Sequence, residues 1–229
     1  MTMISVQRNY PAPAQVMEDL IRGQASMQWH EFNTVDFTTA AVAGSGSTGV
    51  GTRRMKVSTG TTASSTARRA LGSDTMAWSA GKNRILINWS KRVVLSLVIF
   101  TDGNSANGEM RVLFGPATSD GVADLATKGI GIHIDNLALK GQTHDGTTLS
   151  EVDLSTTLVT VVPDVITITS DGSGNIEWFV NGTSAGTSGS GATGDSSNSK
   201  NALVVEVDNN ADTTDNVLFL VNAWVGIEQ

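Results

Sequence analysis

The chain has 229 residues and carries 15 Lys and Arg against 22 Asp and Glu, which gives a formal net charge of −7. It contains no cysteine, so disulfides and thiolate metal sites are excluded. The basic residues are dispersed without interleaved aromatic residues, and no apolar run approaches the roughly 18–20 residues of a membrane helix. The sequence therefore predicts neither a nucleic-acid partner nor a membrane span.

The first 28 residues differ from the rest and are predicted to form an N-terminal arm. Pro11 and Pro13 favour an extended backbone, whereas residues 14–22 place apolar side chains at helical spacing and end before Gly23, a helix C-cap residue. The apolar residues of this predicted helix are Val16, Met17, Leu20 and Ile21. A helix of about two and a half turns is marginal in water, so it must lie either on its own domain or on a neighbouring subunit. Its four apolar side chains are therefore candidate partner-binding residues.

Residues 29–229 alternate between short strands and turns. About a dozen segments combine β-branched and aromatic side chains, and Gly, Asn, Asp and Ser separate them. The segment Val93–Phe100 has the length and apolarity of a buried strand, while the Gly- and Ser-rich segment 183–200 is predicted to be a long loop. This rhythm predicts an all-β sandwich or barrel rather than a parallel α/β sheet.

The stretch 170–187 places one strand between two turns. Asn181-Gly182 is the pair preferred in type I′ hairpin turns, because both positions tolerate positive φ. Trp178 shares a strand face with Ile176 and Val180, so it is predicted to be a core residue rather than a platform for sugar stacking.

Four stretches resemble a concanavalin A-like (laminin-G-like) jelly-roll domain of the kind found in bacteriophage virion proteins. They read VVLSLVIFTDG (93–103), GIGIHIDN (129–136), ITITSDGSG (166–174) and WFVNG (178–182). The resemblance covers residues 29–229 and implies an antiparallel two-sheet β-sandwich that follows the helical arm. Because lectins, glucanases and virion proteins share this fold, it specifies the architecture better than the function.

The resemblance raises the question of a glycosidase site. Glucanases with this fold carry a Glu-x-Asp-x-x-Glu pattern on one strand, which aims a nucleophile and a general acid into one cleft. The run Glu151-Val-Asp153 begins that pattern, but Thr156 occupies the place of the acid/base Glu. His133 alternates with two isoleucines and is predicted to lie on the surface or in a groove. No catalytic residue and no cofactor are therefore predicted, and the chain is expected not to be an enzyme.

Two sets of residues are candidates for ligand contacts. Lectins with this fold often hold calcium in acidic loops, and Asp208, Asp212 and Asp215 supply carboxylates within one loop. That loop is either a cation site or a solvated turn. Trp29 and Trp89 have polar neighbours in the sequence, so they are candidates for exposed aromatic contacts with a glycan.

Basic residues are in excess over residues 1–92 and acidic residues over 93–229. This asymmetry predicts either basic and acidic strands that face each other within one domain, or a basic portion docked on a partner. The resemblance implies a non-enzymatic phage virion protein that decorates or cements the capsid, is located in the virion and self-associates, for example as a trimer. The alternative function is a carbohydrate-binding adhesin or a tail-fibre receptor-binding module.

Overall fold

A computed structural model describes residues 27–32, 37, 39–51, 54–70, 87–102, 107–116, 124–194 and 201–228. The predicted arm helix, with Val16, Met17, Leu20 and Ile21, lies outside these ranges. Within them the chain forms fifteen strands and no helix, which confirms the all-β prediction. The same ranges hold no apolar helix of membrane-spanning length.

The strands follow one another along the whole described chain. They are β1 (Met27–Phe32), β2 (Thr39–Ala43), β3 (Ser47–Val50), β4 (Met55–Ser58), β5 (Thr66–Ala70), β6 (Val93–Thr101), β7 (Glu109–Pro116), β8 (Gly129–Asp135), β9 (Ala138–His144), β10 (Leu149–Thr157), β11 (Asp164–Ser170), β12 (Ile176–Val180), β13 (Thr183–Ser188), β14 (Asn201–Asp208) and β15 (Val217–Glu228).

These strands form two sheets that face each other. Sheet A has the order β13-β12-β11-β6-β15-β4-β3, with β1 beside the second half of β15, and sheet B has the order β10-β9-β8-β7-β14-β5-β2. The strand pairs in both sheets are antiparallel. The predicted antiparallel two-sheet β-sandwich is therefore confirmed.

The core lies between the sheets and is built from the alternate side chains that point inwards. On β8, for example, Ile130, Ile132 and Ile134 are all fully buried in it. Trp178 on β12 is also fully buried, and its indole Nε1 donates to the backbone oxygen of Gly131 at 3.1 Å. The prediction that Trp178 is a core residue is confirmed.

The turn between β12 and β13 has the predicted backbone. Asn181 and Gly182 have φ values of 50° and 84°, as a type I′ turn requires at its two central positions. This turn reverses the chain and brings β13 back along β12.

The segment predicted as a long loop, 183–200, begins instead with the edge strand β13. Residues 183–188 pair with β12, and β13 also lies against β10 of the opposite sheet. A Cβ at Gly186 would lie 2.8 Å from Leu154 Cδ2 and 3.0 Å from Val152 Cγ1, so glycine permits this close approach. The small residues of β13 let this edge strand pack closely against β10, so a Gly- and Ser-rich composition does not indicate a loop here.

Trp89, predicted to be exposed, is fully buried. Its ring packs edge-on against Phe114, with the ring centroids 6.5 Å apart. Its polar neighbours, Asn88 and Ser90, belong to a turn in which the amide of Ser90 donates to Asn88 Oδ1. Side chains in a turn do not alternate between two faces as they do in a strand. The polar neighbours of Trp89 therefore do not indicate that its own side chain is exposed. Trp89 is a core residue, so the prediction that it contacts a glycan at the surface is wrong.

Candidate functional site: a polar network on sheet B

The outer face of sheet B carries a cluster of polar side chains on the adjacent strands β7 to β10. Arg111 on β7 lies opposite His133 on β8, and Gln142 on β9 lies opposite Glu151 on β10. Because inward side chains on these strands fill the core, the alternate positions face outwards together. We name this set the polar network; its members are Glu109, Arg111, Asp124, His133, Gln142 and Glu151.

Arg111 holds two of the carboxylates in the network. Its Nε donates to Asp124 Oδ1 at 2.7 Å, and a terminal guanidinium nitrogen donates to Glu109 Oε2 at 2.5 Å. Hydrogen bonds in which both groups are charged are shorter and stronger than neutral ones. Arg111 therefore fixes both carboxylates relative to the sheet.

Gln142 and His133 hold the third carboxylate. The Nε2 amide of Gln142 donates to Asp124 Oδ1 at 2.6 Å and to Glu151 Oε1 at 2.9 Å. His133 Nδ1 lies 2.7 Å from the same oxygen of Glu151. Side chains from three strands, β8 to β10, and from the segment before β8 are thus joined in one network.

Burial divides the network into supporting and accessible groups. Arg111 and His133 are 5% and 6% exposed, and Gln142 is fully buried. The side chains of Glu109, Asp124 and Glu151 expose 32%, 41% and 35% of their surface. Buried donors therefore hold carboxylates that reach solvent.

A small apolar cluster on the same face anchors the segment that carries Asp124. The next residue, Leu125, is buried against Ala70, Leu113 and Val204. These side chains come from β5, β7 and β14. Asp124 is thus positioned by packing as well as by hydrogen bonds.

The network keeps its bridged carboxylates ionised near neutral pH. Partial burial alone would raise the pKa of Asp124, but the hydrogen bond from Gln142 and the charge of Arg111 outweigh it and lower the pKa. The pKa of Glu151 is also lowered, because hydrogen bonds from Gln142 and His133 outweigh the effect of burial. For Arg111, burial would lower the pKa, yet the charges of Asp124 and Glu109 raise it.

Two buried atoms of the network have no hydrogen-bond partner among the described residues. They are Nε2 of His133 and Oε1 of Gln142. Oε2 of Glu109 lies 4.0 Å from His133 Nε2, which is too far for a hydrogen bond. In addition, Asp124, His133 and Glu151 each offer one metal-ligating atom, and these three atoms lie within 4.8 Å of one another.

The structure does not bring the predicted calcium ligands together. Asp215 accepts from Ser58 Oγ and from the amide of Gly60, both at 2.8 Å. Asp208 and Asp212 each accept from backbone amides in their own turn. Within the described ranges, the one set of three close ligand atoms is that of the polar network. Asp208 and Asp212 stabilise their own turn, whereas Asp215 joins this loop to the end of β4 and the residues after it.

The other predicted glycan contact, Trp29, lies in β1 with its backbone opposite Gly226. Its side chain falls outside the described part of the chain. A glycan contact through Trp29 stays a prediction.

Sequence reasoning missed the polar network, although parts of its signal were visible. Alternation alone puts Glu109 and Arg111 on one face of β7, and His133 on the face opposite the isoleucines of β8. The prediction that His133 is at the surface or in a groove did not anticipate its burial or its contact with Glu151. That contact depends on the order β10-β9-β8-β7, which no local pattern specifies.

No protein-family model and no curated protein sequence matches the chain. Solved structures do resemble it. A protein of unknown function from Shewanella oneidensis MR-1 has a TM-score of 0.55 at 10% identity, with 97% of each chain covered. The endo-β-1,4-glucuronan lyase of the fungus Trichoderma reesei has a TM-score of 0.56 at 12% identity, over 87% of this chain and 94% of that one. The carbohydrate recognition domain of Emp47p has a TM-score of 0.52 at 10% identity, over 88% and 89%.

These neighbours are concanavalin A-like β-sandwich domains with the same fold as this chain, and the comparisons show no link to phage proteins. Identities this low show the architecture alone, so the activity of the lyase is not carried over to this chain. The virion role, the virion location and the absence of enzymatic activity expected from the sequence stay predictions.

Proposed function

We propose that this chain is a carbohydrate-binding β-sandwich module that binds a saccharide over the polar network. The observation that carries the proposal is the arrangement of three solvent-reaching carboxylates held by the buried side chains of Arg111, His133 and Gln142. A few fixed polar groups on a rigid scaffold are what a small-molecule site needs to orient its ligand. The likeness to the Emp47p carbohydrate recognition domain supports the same class of ligand.

The chemistry of the exposed groups suits sugar hydroxyls. An ionised carboxylate is an acceptor with two oxygens, and Asp124 and Glu151 each use only one oxygen in the contacts described above. Their second oxygens can accept from hydroxyls of a saccharide. Because Arg111 and Gln142 already hold the carboxylates, binding does not have to immobilise them, and this preorganisation favours affinity.

The test is a glycan array with the full chain, followed by calorimetric titration of the saccharides that are retained. Glu151→Gln and Asp124→Asn preserve shape but remove charge, and each is expected to weaken binding at least about tenfold, because a charge-assisted hydrogen bond contributes about 1.5–3 kcal/mol.

Sheet A provides matched controls for both substitutions. Glu177 accepts from Ser184 Oγ at 2.6 Å and Asp164 accepts from Asn181 Nδ2 at 2.8 Å, and both lie away from the network. Glu177→Gln and Asp164→Asn should leave binding unchanged. Retention of no saccharide, or equal loss in the sheet A variants, would contradict the proposal.

A further inference from the structure

We propose that the polar network also binds a divalent first-row transition-metal ion, Zn²⁺ or Mn²⁺, through Asp124, His133 and Glu151. The proposal does not rest on saccharide binding, because the geometry and charge of the polar network alone carry it. The site is distinct from the 208–216 loop, whose carboxylates accept hydrogen bonds from backbone amides and from Ser58.

The three ligand atoms lie close enough together for one ion to contact all of them after small side-chain shifts. Nitrogen and oxygen ligands lie about 2.0–2.2 Å from Zn²⁺, so two ligands of one ion are at most about 4.4 Å apart. The three atoms offered by Asp124, His133 and Glu151 lie within 4.8 Å of one another. At the tetrahedral angle two such ligands lie about 3.4 Å apart, so side-chain shifts of about 1 Å would close a site around one ion.

The polar network contains more negative than positive charges, which favours binding of a cation. The network has three carboxylates, those of Glu109, Asp124 and Glu151, and one guanidinium, that of Arg111, which pairs with Glu109 and Asp124. The nearby ammonium of Lys140 is paired with Asp135 at 2.9 Å. With a neutral imidazole the network therefore carries two uncompensated negative charges, which a divalent ion would balance.

The buried, unpartnered Nε2 of His133 is a second and independent indication. When the ring is neutral and Nδ1–H donates to Glu151, Nε2 is a bare acceptor that faces a carboxylate oxygen of Glu109 at 4.0 Å. If Nδ1 ligates a metal instead, the ring proton resides on Nε2 and points towards Glu109. A histidine ligand that donates its other N–H to a carboxylate is the usual arrangement at protein metal sites.

The Gln142 amide lies beside the expected position of the ion. Its NH₂ group donates to both Asp124 Oδ1 and Glu151 Oε1, at 2.6 and 2.9 Å, and so holds together two carboxylates that would ligate the ion. Its Oε1 is buried and unpartnered among the described residues. Rotation of the amide by half a turn would point this oxygen at the ion as a fourth ligand. One imidazole among oxygen ligands favours Zn²⁺ or Mn²⁺ over Ca²⁺, which takes six to eight oxygens.

The test uses the full chain, stripped with a chelator and titrated with ZnCl₂, MnCl₂, CaCl₂ or MgCl₂ and no saccharide. Calorimetry is expected to show one saturable site for Zn²⁺ or Mn²⁺ with a raised Tm, and much weaker binding of Ca²⁺ and Mg²⁺. Co²⁺ added in place of Zn²⁺ should give an absorption spectrum typical of a mixed nitrogen and oxygen site. Absence of saturable binding by any of these ions would overturn the proposal.

His133→Gln is expected to weaken metal binding at least about tenfold, the lower range for the loss of a group that orients or ligates a metal. The matched control is His144→Gln, because His144 is equally buried at 6% and lies on the adjacent strand β9, where its Nδ1 accepts from the amide of Gly146. Equal losses in both variants, or none in either, would overturn the assignment. If His133→Gln does not fold, Asp124→Asn replaces it, because Asp124 is more exposed.

Saccharide titration of the chelator-stripped protein separates this inference from the proposed function. Saccharide binding without metal binding would overturn only the metal site. Metal binding without saccharide binding would leave the metal site and overturn the carbohydrate module.

Discussion

Single residues determine how closely the two sheets can approach, and Gly141 is the clearest example. It lies on β9 below the indole of Trp178, and a Cβ there would be 2.4 Å from Trp178 Cε2. The ring itself is held by the bond from its Nε1 to the oxygen of Gly131. The indole of Trp178 can therefore pack in this position only because residue 141 has no side chain.

Gly141→Ala is expected to lower the free energy of unfolding by about 1–3 kcal/mol, the usual effect of overpacking a core. Urea denaturation of the purified chain measures it. Gly49 in β3 is the control, because a Cβ there would meet nothing within 4 Å. Gly49→Ala should change stability little, and a similar loss in both variants would show that steric conflict with Trp178 is not the cause.

Asp145 shows how a single carboxylate can couple a turn to pH. Its Oδ1 accepts from the amides of Thr147 and Thr148 at 2.6 and 2.7 Å, and from the Thr147 hydroxyl at 2.8 Å. These bonds favour the ionised form and lower the pKa of Asp145 to about 2. Because the pKa is depressed in the folded state, the stability it contributes is present above the ordinary pKa of about 3.9 and is lost as pH falls towards 2.

Asp145→Asn is therefore expected to lower the Tm at pH 7 and to converge with the wild type near pH 2. Carbon-detected NMR titration of the Asp145 carboxyl group should give a midpoint near 2. A midpoint near 4, or a difference in Tm that is constant with pH, would contradict the role of these bonds.

At the scale of elements, strand patterns could be read from the sequence wherever one face is buried. The alternation of Trp178 with Ile176 and Val180, and the Asn181-Gly182 turn, both appear as predicted. β13 was not predicted, because an edge strand of Ser, Thr and Gly is held by backbone pairing and needs no apolar alternation.

The polar network could not be predicted, because it depends on which strands become neighbours. Arg111, His133 and Glu151 lie on three different strands, β7, β8 and β10, and the sheet order and register bring their side chains into one network. Asp124 lies in an irregular segment whose position follows from the packing of Leu125. Contacts of this kind arise from tertiary structure rather than from local periodicity.

At the scale of the whole molecule, a basic residue of the first part of the chain pairs with an acidic residue of the second part within the sandwich. Arg68 on β5 lies 3.7 Å from Glu206 on β14, and both side chains are buried. A basic residue of the first part of the chain thus faces an acidic residue of the second part within sheet B. This pair is the arrangement expected when basic and acidic strands face each other in one domain.

Deletion of residues 1–26 is expected to separate the two functions considered for the chain. Every strand described here begins at or after Met27, so the shortened protein should stay folded by circular dichroism and should bind saccharide with unchanged affinity. If the predicted arm helix docks on virion proteins, the same deletion should abolish binding to capsids in a sedimentation assay. Loss of saccharide binding in a folded deletion variant would place the glycan site on the arm instead of on sheet B.

The central position of β15 has a consequence for the order in which the chain can fold. β15 pairs with β6 along one side and with β4 and β1 along the other, so residues 217–228 join parts of sheet A that are distant in sequence. A nascent chain on the ribosome that has not yet released these residues cannot assemble the middle of sheet A. Folding must therefore follow synthesis of β15, and contacts of such long sequence separation predict slow folding. Until then the apolar strand β6 lacks one of its two neighbours, so the newly made chain exposes apolar surface and an unpaired strand edge that favour aggregation.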